Sequence, residues 1–239
     1  LRPAQCPAVF SSFLVHNSMH IPDGILPAHI CIGGYAIAGL TSWYSLRQIQ
    51  HDRDPIQNIP KASLMTAAFF VASSIHVPIP PASVHFVLNG LLGTILGYYA
   101  FPAIVIGLLF QAVILGHGGM TTLGVDAVMM GIPALLAYHV FQLRRWVKNR
   151  CGDRRSLGIF SFLAGAIGVG LATIIFLFLV VTHIPASFDV QAERTAVYGL
   201  TLAHIPLMLL EGGFTTMLVL FLYQVKPELL GKQEWTNEA

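Results

Sequence analysis

Long apolar stretches without charged residues recur along the whole chain, and short polar or proline-rich segments separate them. A helix of roughly 20 apolar residues crosses the hydrocarbon core of a bilayer, because each residue adds about 1.5 Å to a core about 30 Å thick. The pattern predicts seven membrane helices, at 28–46, 62–75, 86–99, 101–115, 125–143, 157–184 and 197–223. The predicted fold is an all-α, polytopic bundle of seven transmembrane helices. The second, third and fourth are short and are interrupted by proline and glycine.

The composition supports a membrane protein and excludes several other classes. Of the 239 residues, 55% are hydrophobic and only 10% are charged, whereas soluble domains carry about 25% charged residues. The formal net charge of +2 provides no basic field for nucleic acid, which excludes a DNA- or RNA-binding protein. The three cysteines, Cys6, Cys31 and Cys151, lie far apart, so the sequence indicates neither a thiolate zinc site nor a disulfide framework.

Basic residues predict the orientation of the bundle, because short cytoplasmic loops accumulate Lys and Arg. If the N-terminus lies outside, only Arg2 and Arg194 of the 13 basic residues fall on the outer side. We therefore expect an outward N-terminus, a cytoplasmic C-terminus and a location in the cell's inner (plasma) membrane. Five histidines gather on the predicted outer side: His20, His76, His85, His117 and His183.

The segment at 19–24, which reads Met-His-Ile-Pro-Asp-Gly, precedes the first predicted helix. Its proline and glycine, followed by Pro27, are incompatible with a regular helix, so we expect an irregular lead-in. If Met19 is the first residue of the mature chain, its amine, the backbone nitrogen of His20 and the His20 imidazole form two fused chelate rings around one ion. Three nitrogens in one plane suit Ni(II) or Cu(II). The alternative is that His20 is a polar anchor at the membrane interface.

Three prolines in the four residues 78–81 end the second predicted helix abruptly. Non-helical backbone is tolerated at membrane depth only where protein or a water-filled cavity surrounds it. We expect a broken pair of short helices, with His76 closing the first helix and His85 opening the second. Transporters build binding sites in this way. A structural role for each histidine at its helix end is the alternative.

A glycine-rich segment at 116–124, which includes His117, joins the fourth and fifth predicted helices. A tight turn is the simplest interpretation of its four glycines. We expect Asp126, at the start of the fifth helix, to cap that helix or to interact with its positive dipole end. We expect Asn89 and Gln111 to form hydrogen bonds between helices.

His204 and Glu211 lie seven residues apart in the last predicted helix, so they share one helix face. Ionisable groups inside a membrane are functional candidates by default, and a buried pair satisfied by other helices is the alternative. One alternative function is an intramembrane metal-dependent hydrolase built on this pair, and another is a structural membrane scaffold. The chain contains no HExxH pair, GxSxG elbow or Walker loop. We therefore expect no enzyme activity and no ATP hydrolysis by this chain.

Three ordered motifs resemble those of one family. They are the run at 19–24, the Pro-Ile-Pro-Pro-Ala-Ser-Val-His run at 78–85 and the His-Gly-Gly-Met-Thr-Thr-Leu-Gly run at 117–124. Together they resemble the cobalt/nickel substrate-capture component, of CbiM/NikM type, of energy-coupling-factor ABC transporters, over about residues 19–223. The resemblance implies a protein that captures Co²⁺ or Ni²⁺ outside the cell for ATP-driven uptake, as for cobalamin biosynthesis or nickel enzymes.

The resemblance also implies the ligands of the ion. In that family the ion is bound by the amine of a methionine, by the amide and imidazole nitrogens of the next histidine, and by a later histidine. Here these residues are Met19, His20 and His85. The candidates for supporting positions around these ligands are His76, His117, Ser83 and Asn89. The resemblance implies no catalytic residue and no resident cofactor, because the ion is the cargo.

The resemblance further implies partner subunits and a division of the chain. The partners would be a coupling transmembrane subunit, two ATP-binding subunits and, as a separate chain, a small accessory membrane subunit. We expect 1–18 to be an N-terminal extension, explained by an over-extended gene start or a cleaved leader. Residues 19–223 would form the metal-binding transmembrane domain, and 224–239 a short cytoplasmic tail. An acylated Met19 would lose its amine ligand.

Overall fold

The computed structural model describes residues 19–52, 55–79, 82–184 and 189–230. Within this part of the chain the helices are α1 (Ala28–Gln50), α2 (Ile59–Ser74), α3 (Asn89–Leu96), α4 (Ala100–Phe110), α5 (Leu123–Gln142), α6 (Arg144–Cys151), α7 (Asp153–Thr182) and α8 (Val190–Val225), and the strands are β1 (His76–Ile79) and β2 (Ala82–His85). Short helical turns are at Pro55–Asn58, Gly97–Tyr99, Gln111–Leu115 and Pro227–Leu230. The predicted extension 1–18 lies outside the described residues.

Among the described residues, four helical stretches are long and apolar enough to cross a membrane. They are Asn89–Leu115, Leu123–Val147, Asp153–Thr182 and Val190–Val225. The third and fourth predicted helices, 86–99 and 101–115, form one of these stretches, in which Gly97 at φ 60° separates α3 from α4. A predominantly helical, multi-span fold is therefore confirmed. The count of seven spans and the outward N-terminus stay predictions.

The segment that follows α2 is a β-hairpin, so the predicted broken pair of short helices is wrong at this point. β1 and β2 pair antiparallel, with His76 opposite His85 and Val77 opposite Val84. His76 does not close a helix, because α2 ends at Ser74, and His85 does not open one, because α3 begins at Asn89. Prolines remove helical hydrogen bonds, and valine favours extended backbone, so a hairpin satisfies this sequence better than a helix does.

Small residues allow the helices to approach closely around the central helix α5, which lies against α1, α3, α4 and α7. A methyl group on Gly93 of α3 would overlap the carbonyl of Ala134 in α5. In α7 a methyl group on Gly165 would lie 2.9 Å from the Cα of Gly212 in α8. Close packing of this kind replaces the hydrophobic effect as the force that joins helices in lipid.

Two polar side chains link the helices as the sequence predicts. Asn89 Nδ2 donates to the carbonyl oxygens of Met130 in α5, at 3.3 Å, and of Gly168 in α7, at 2.9 Å. Gln111 Nε2 donates to Ser73 Oγ of α2 at 2.5 Å. Both predicted interhelical hydrogen bonds are therefore confirmed, and those of Asn89 fix the start of α3 against α5 and α7.

The predicted tail is anchored over its first residues. α8 continues to Val225, and Lys61 Nζ donates to the carbonyl oxygen of Leu229 at 3.2 Å. Leu230 is buried. The described end of the chain therefore packs against the beginning of α2, whereas residues 231–239 lie outside the described part.

Candidate metal-binding site

The N-terminal segment (residues 19–27) is irregular, as predicted, and its first residues are buried in the helix bundle. Met19 and Ile21 are 1% exposed and His20 is 5% exposed. Gly24 has φ 87°, a conformation that strongly favours glycine, and α1 begins at Ala28. Thr173 Oγ1 of α7 lies 3.8 Å from Met19 Sδ. The proline and glycine thus allow the segment to place Met19 and His20 inside the protein before the first helix starts.

The glycine loop (residues 116–122) binds the N-terminal segment through Asp23. The carboxylate of Asp23 accepts hydrogen bonds from the backbone N–H of Met120, at 3.1 Å, and of Thr121, at 2.8 Å. It also accepts one from the Thr121 hydroxyl, at 2.5 Å. The hydroxyl of Thr121 contributes most to lowering the pKa of Asp23 from its ordinary value of 3.8, while partial burial opposes the shift.

A second carboxylate, that of Asp126, lies directly beside His20. Asp126 is buried, its Oδ1 accepts the backbone N–H of Ile21 at 3.3 Å, and its Oδ2 lies 4.0 Å from His20 Nδ1. Thr122 Oγ1 donates to the carbonyl oxygen of Ile21 at 2.5 Å. Asp126 lies in the first turn of α5, as predicted, but it does not cap the helix, because its carboxylate accepts a backbone N–H of the N-terminal segment. The interaction with the positive dipole end stays a prediction.

Two glycines allow the glycine loop to lie close to the N-terminal segment. Gly118 has φ 77°, and a methyl group on it would lie 3.0 Å from Asp126 Oδ2 and 3.5 Å from His20 Cβ. A methyl group on Gly119 would overlap Asp23 Oδ1. The glycine-rich sequence is therefore required by contact with the N-terminal segment as well as by the turn.

The imidazoles of His20 and His85 face each other inside the protein. Their ring centroids are 5.3 Å apart and the ring planes are inclined by 24°. His85 is 1% exposed. The hairpin and the N-terminal segment, 65 positions apart in the sequence, thus bring two buried imidazoles together next to Met19 and Asp126.

Glu211 of α8 holds the chain immediately after His85. Its buried carboxylate accepts the backbone N–H of Val87 and, at 2.8 Å, that of Leu88. Leu88 has φ 49°, an uncommon conformation for a residue with a side chain. Both oxygens of Glu211 therefore serve the connection between β2 and α3, and the connection fixes the position of His85.

Known proteins similar to this chain agree on one family. The family model described as "cobalt uptake substrate-specific transmembrane region", CbiM, matches residues 20–229. The chain belongs to the CbiM family. A putative metal transport protein of Haemophilus influenzae is 33% identical over 90% of this chain and 98% of its own. The cobalt transport protein CbiM of Sorangium cellulosum is 32% identical over 90% of this chain and 95% of its own.

A solved structure shares the fold of this CbiM-family chain. The crystal structure of a truncated transition metal transporter superposes with a TM-score of 0.67 at 20% identity, over 86% of this chain and 99% of that one. The family match contains His20, His85, Asp126 and Glu211, and begins one residue after Met19. The protein is thus a membrane transport component of the cobalt-uptake family, and the predicted family is confirmed.

In this CbiM-family chain the structure brings together the three predicted ligands. The predicted supporting residues lie in the hairpin, in the glycine loop and at the start of α3. His76 is opposite His85 in the hairpin, and Ser83 is opposite Pro78. His117 directly precedes Gly118, which lies against His20, and its backbone N–H donates to the Gln111 carbonyl. The side-chain hydrogen bonds of Asn89 go to backbone groups of α3, α5 and α7. The supporting roles of His76, His117 and Ser83 stay predictions.

Sequence reasoning missed the role of Asp126 in the site and that of Glu211 behind it. Both are ionisable residues in apolar helices, and that alone is a signal of function. The partners of Asp126 and Glu211, Ile21 and Val87, lie 105 and 124 positions away in the sequence. No local motif indicates such contacts.

Proposed function

We propose that this CbiM-family chain is the substrate-specific membrane component of an energy-coupling-factor transporter, and that it captures Co²⁺ or Ni²⁺ outside the cell for ATP-driven uptake. One observation carries the proposal: the buried imidazoles of His20 and His85 face each other at 5.3 Å, beside Met19. Two imidazoles at this separation can share one ion, for which metal–nitrogen bonds are about 2 Å long.

The remaining donors come from the main chain. Among the described residues, no group of three or more His, Cys, Asp or Glu side chains could hold a metal ion. A site with two imidazoles therefore needs other donors, and the amine of Met19 and the backbone nitrogen of His20 supply them. The resulting four nitrogens suit a planar or tetragonal ion. This ligand set requires a mature chain that begins at Met19.

Asp126 supports the proposed ligands through its charge. A chelate ring that includes the backbone nitrogen and the imidazole of His20 can close only through Nδ1, so Nδ1 is the proposed ring ligand. Asp126 Oδ2 lies 4.0 Å from this Nδ1 in a buried environment. Its negative charge offsets the charge of a divalent ion. Because bound imidazoles must be neutral, protons compete with the ion and capture weakens in acid.

Energy for transport comes from partner chains in this proposal. The sequence contains no phosphate-binding loop, so two ATP-binding subunits would act through a coupling transmembrane subunit, with a small accessory membrane subunit as a separate chain. A bundle of seven spans with its N-terminus outside places the N-terminal segment and the hairpin towards the source of the ion. The basic loops then face the ATP-binding subunits.

Calorimetry with Co²⁺ and Ni²⁺ tests the capture site. The purified protein beginning at Met19 is compared with the protein that carries residues 1–18, and with His20→Ala and His85→Ala in the shorter protein. His51→Ala is the matched control, because His51 is exposed at the end of α1. We expect one ion per chain only with a free Met19 amine and both histidines. Unchanged binding in His20→Ala and His85→Ala would refute the site.

A further inference from the structure

Basic residues gather where α6 follows α5 and α7 begins, far from the candidate metal site. This basic segment (residues 144–155) contains six of the 13 Lys and Arg residues and a single carboxylate, that of Asp153. Asp126, which lies beside His20, and Arg144 are 18 residues apart along α5 and α6, which corresponds to about 27 Å. The basic segment therefore lies at the end of the bundle opposite the candidate metal site.

The basic segment also lies at the level of a membrane–water interface. The apolar stretch Leu123–Val147 ends within it, and the apolar stretch Asp153–Thr182 begins within it. Trp146, which lies between them, is 86% exposed. Tryptophan is enriched where a bilayer meets water, because its ring is apolar and its N–H group is polar. The phosphate groups of lipids occupy the same level of the membrane.

Arg144 is held against the beginning of α7. Its side chain is 8% exposed, and its Cζ lies 4.3 Å from the ring centroid of Phe141. Phe141 belongs to the same buried cluster as Leu157, near the beginning of α7. The guanidinium also interacts electrostatically with Asp153, the first residue of α7. Within the described part of the chain, Arg144 Nε has no hydrogen-bond partner, so a buried cationic donor remains available beside this helix end.

The N-terminus of α7 provides further donors. The helix has 30 residues, Gly152 precedes it with φ 80°, and among the described residues no side chain caps it. The carboxylate of Asp153 accepts a hydrogen bond from the hydroxyl of Tyr223, in α8, at 2.8 Å. The first backbone N–H groups of a long helix, together with its positive dipole end, favour an anion. The buried guanidinium and the helix end thus point to the same kind of ligand.

The charges at this helix end are unfavourable without an anion. Arg154 and Arg155 are exposed in the first turn of α7, although cations are disfavoured at the positive end of a helix dipole. Asp153 offsets only one of the six positive charges of the basic segment. A solvated turn explains exposed arginines, but it explains neither the buried, unused donor of Arg144 nor the exposed ring of Trp146.

We propose that the basic segment binds the phosphate group of an anionic phospholipid, with the Arg144 guanidinium and the first N–H groups of α7 as donors. Arg154 and Arg155 supply further positive charge. The ligand is a lipid rather than free phosphate, because the site lies at headgroup level and Trp146 offers apolar surface beside it. Basic clusters next to membrane spans attract anionic lipids in this way. This inference is independent of the proposed capture function.

The test measures lipid binding to the purified protein in detergent, by native mass spectrometry and by the melting temperature. The probes are phosphatidylglycerol, phosphatidylcholine and inorganic phosphate. Arg144→Gln removes the buried donor. The double variant Arg154→Gln, Arg155→Gln removes two surface charges, and it keeps the test decisive if Arg144→Gln does not fold. Arg194→Gln is the matched control, because Arg194 is an exposed arginine near the beginning of α8.

We expect phosphatidylglycerol to bind the unmodified protein and to raise its melting temperature, and phosphatidylcholine to do neither. The affinity for phosphatidylglycerol should fall about 10- to 30-fold in the double variant and stay unchanged in Arg194→Gln. Equal binding of the two lipids, or unchanged affinity in the double variant, overturns the proposal and leaves an acidic partner chain as the source of the counter-charge. Displacement of the lipid by inorganic phosphate, with the same rise in melting temperature, overturns the lipid in favour of free phosphate.

Discussion

The variant Glu211→Gln tests whether Glu211 holds His85 in position, because it leaves the imidazole ring of His85 itself unchanged. The carboxylate of Glu211 accepts two backbone N–H bonds, from Val87 and Leu88. Glutamine has the same shape but only one acceptor oxygen, and its NH₂ group faces the second N–H donor. One hydrogen bond is lost, and the other no longer has a carboxylate acceptor.

The expected magnitude follows from these two bonds. A buried N–H without a partner costs about 1–3 kcal/mol. For a chain of this size, a loss of about 2 kcal/mol in the free energy of unfolding lowers the melting temperature by about 4–8 °C. Because the connection after His85 loosens, we expect affinity for Co²⁺ and Ni²⁺ to fall about 10- to 100-fold, as for other partners of metal ligands.

Calorimetry and thermal unfolding in detergent measure both effects. Glu211→Asp keeps two acceptor oxygens and should recover part of the affinity. Thr215→Val is the matched control, because this buried hydroxyl lies one turn further along α8 and has no hydrogen-bond partner among the described residues. A Glu211→Gln protein with unchanged melting temperature and unchanged metal affinity would show that Glu211 does not hold His85 in place.

Three further predictions concern the contacts of the N-terminal segment. Asp126→Asn keeps an acceptor for Ile21 but removes the charge beside His20, so calorimetry should show metal affinity lower by about tenfold with the fold intact; unchanged affinity would exclude the electrostatic role. Gly119→Ala should lower both stability, by about 1–3 kcal/mol, and metal affinity, because its methyl group overlaps Asp23. Gly33→Ala, which has open space at that position, is its control and should change neither. The pKa of Asp23 is lowered in the folded protein, so its stabilising contribution is present above the ordinary pKa of 3.8 and is lost as the pH falls through the folded value. The melting temperature should fall slightly between about pH 5 and pH 3, and this fall should be absent in Asp23→Asn. An equal fall in Asp23→Asn would contradict the stabilising role of the Asp23 carboxylate.

The sequence motifs predicted which two histidines lie close together better than they predicted the backbone around them. His20 and His85 could be proposed as partners because each lies in a segment whose prolines and glycines are incompatible with a regular membrane helix. The same prolines did not distinguish a broken helix from a hairpin, because a helix ends at these prolines in either structure. Only the antiparallel pairing of His85 with His76 identifies the hairpin. Gly97 likewise lies inside apolar sequence, and nothing in the neighbouring residues indicates that its positive φ separates α3 from α4.

Long-range contacts were beyond local sequence reasoning. Asp126 has the position of a helix cap in the sequence, and only the folded chain brings Ile21 to its carboxylate. The pairing of His204 and Glu211 on one helix face was predictable from their spacing. The different environments of the two side chains were not predictable, because Val87 and Leu88, the partners of Glu211, follow the hairpin more than 120 positions earlier in the sequence.

X-ray absorption at the metal edge of the Ni²⁺-loaded protein beginning at Met19 tests the capture site most directly. We predict a first shell of nitrogen atoms only, about 2 Å from the ion, with the scattering pattern of two imidazoles. His85→Ala should remove one imidazole from that pattern, and His51→Ala should remove none. A sulfur scatterer at about 2.3 Å, or an unchanged pattern in His85→Ala, would contradict the proposed ligand set of Met19, His20 and His85.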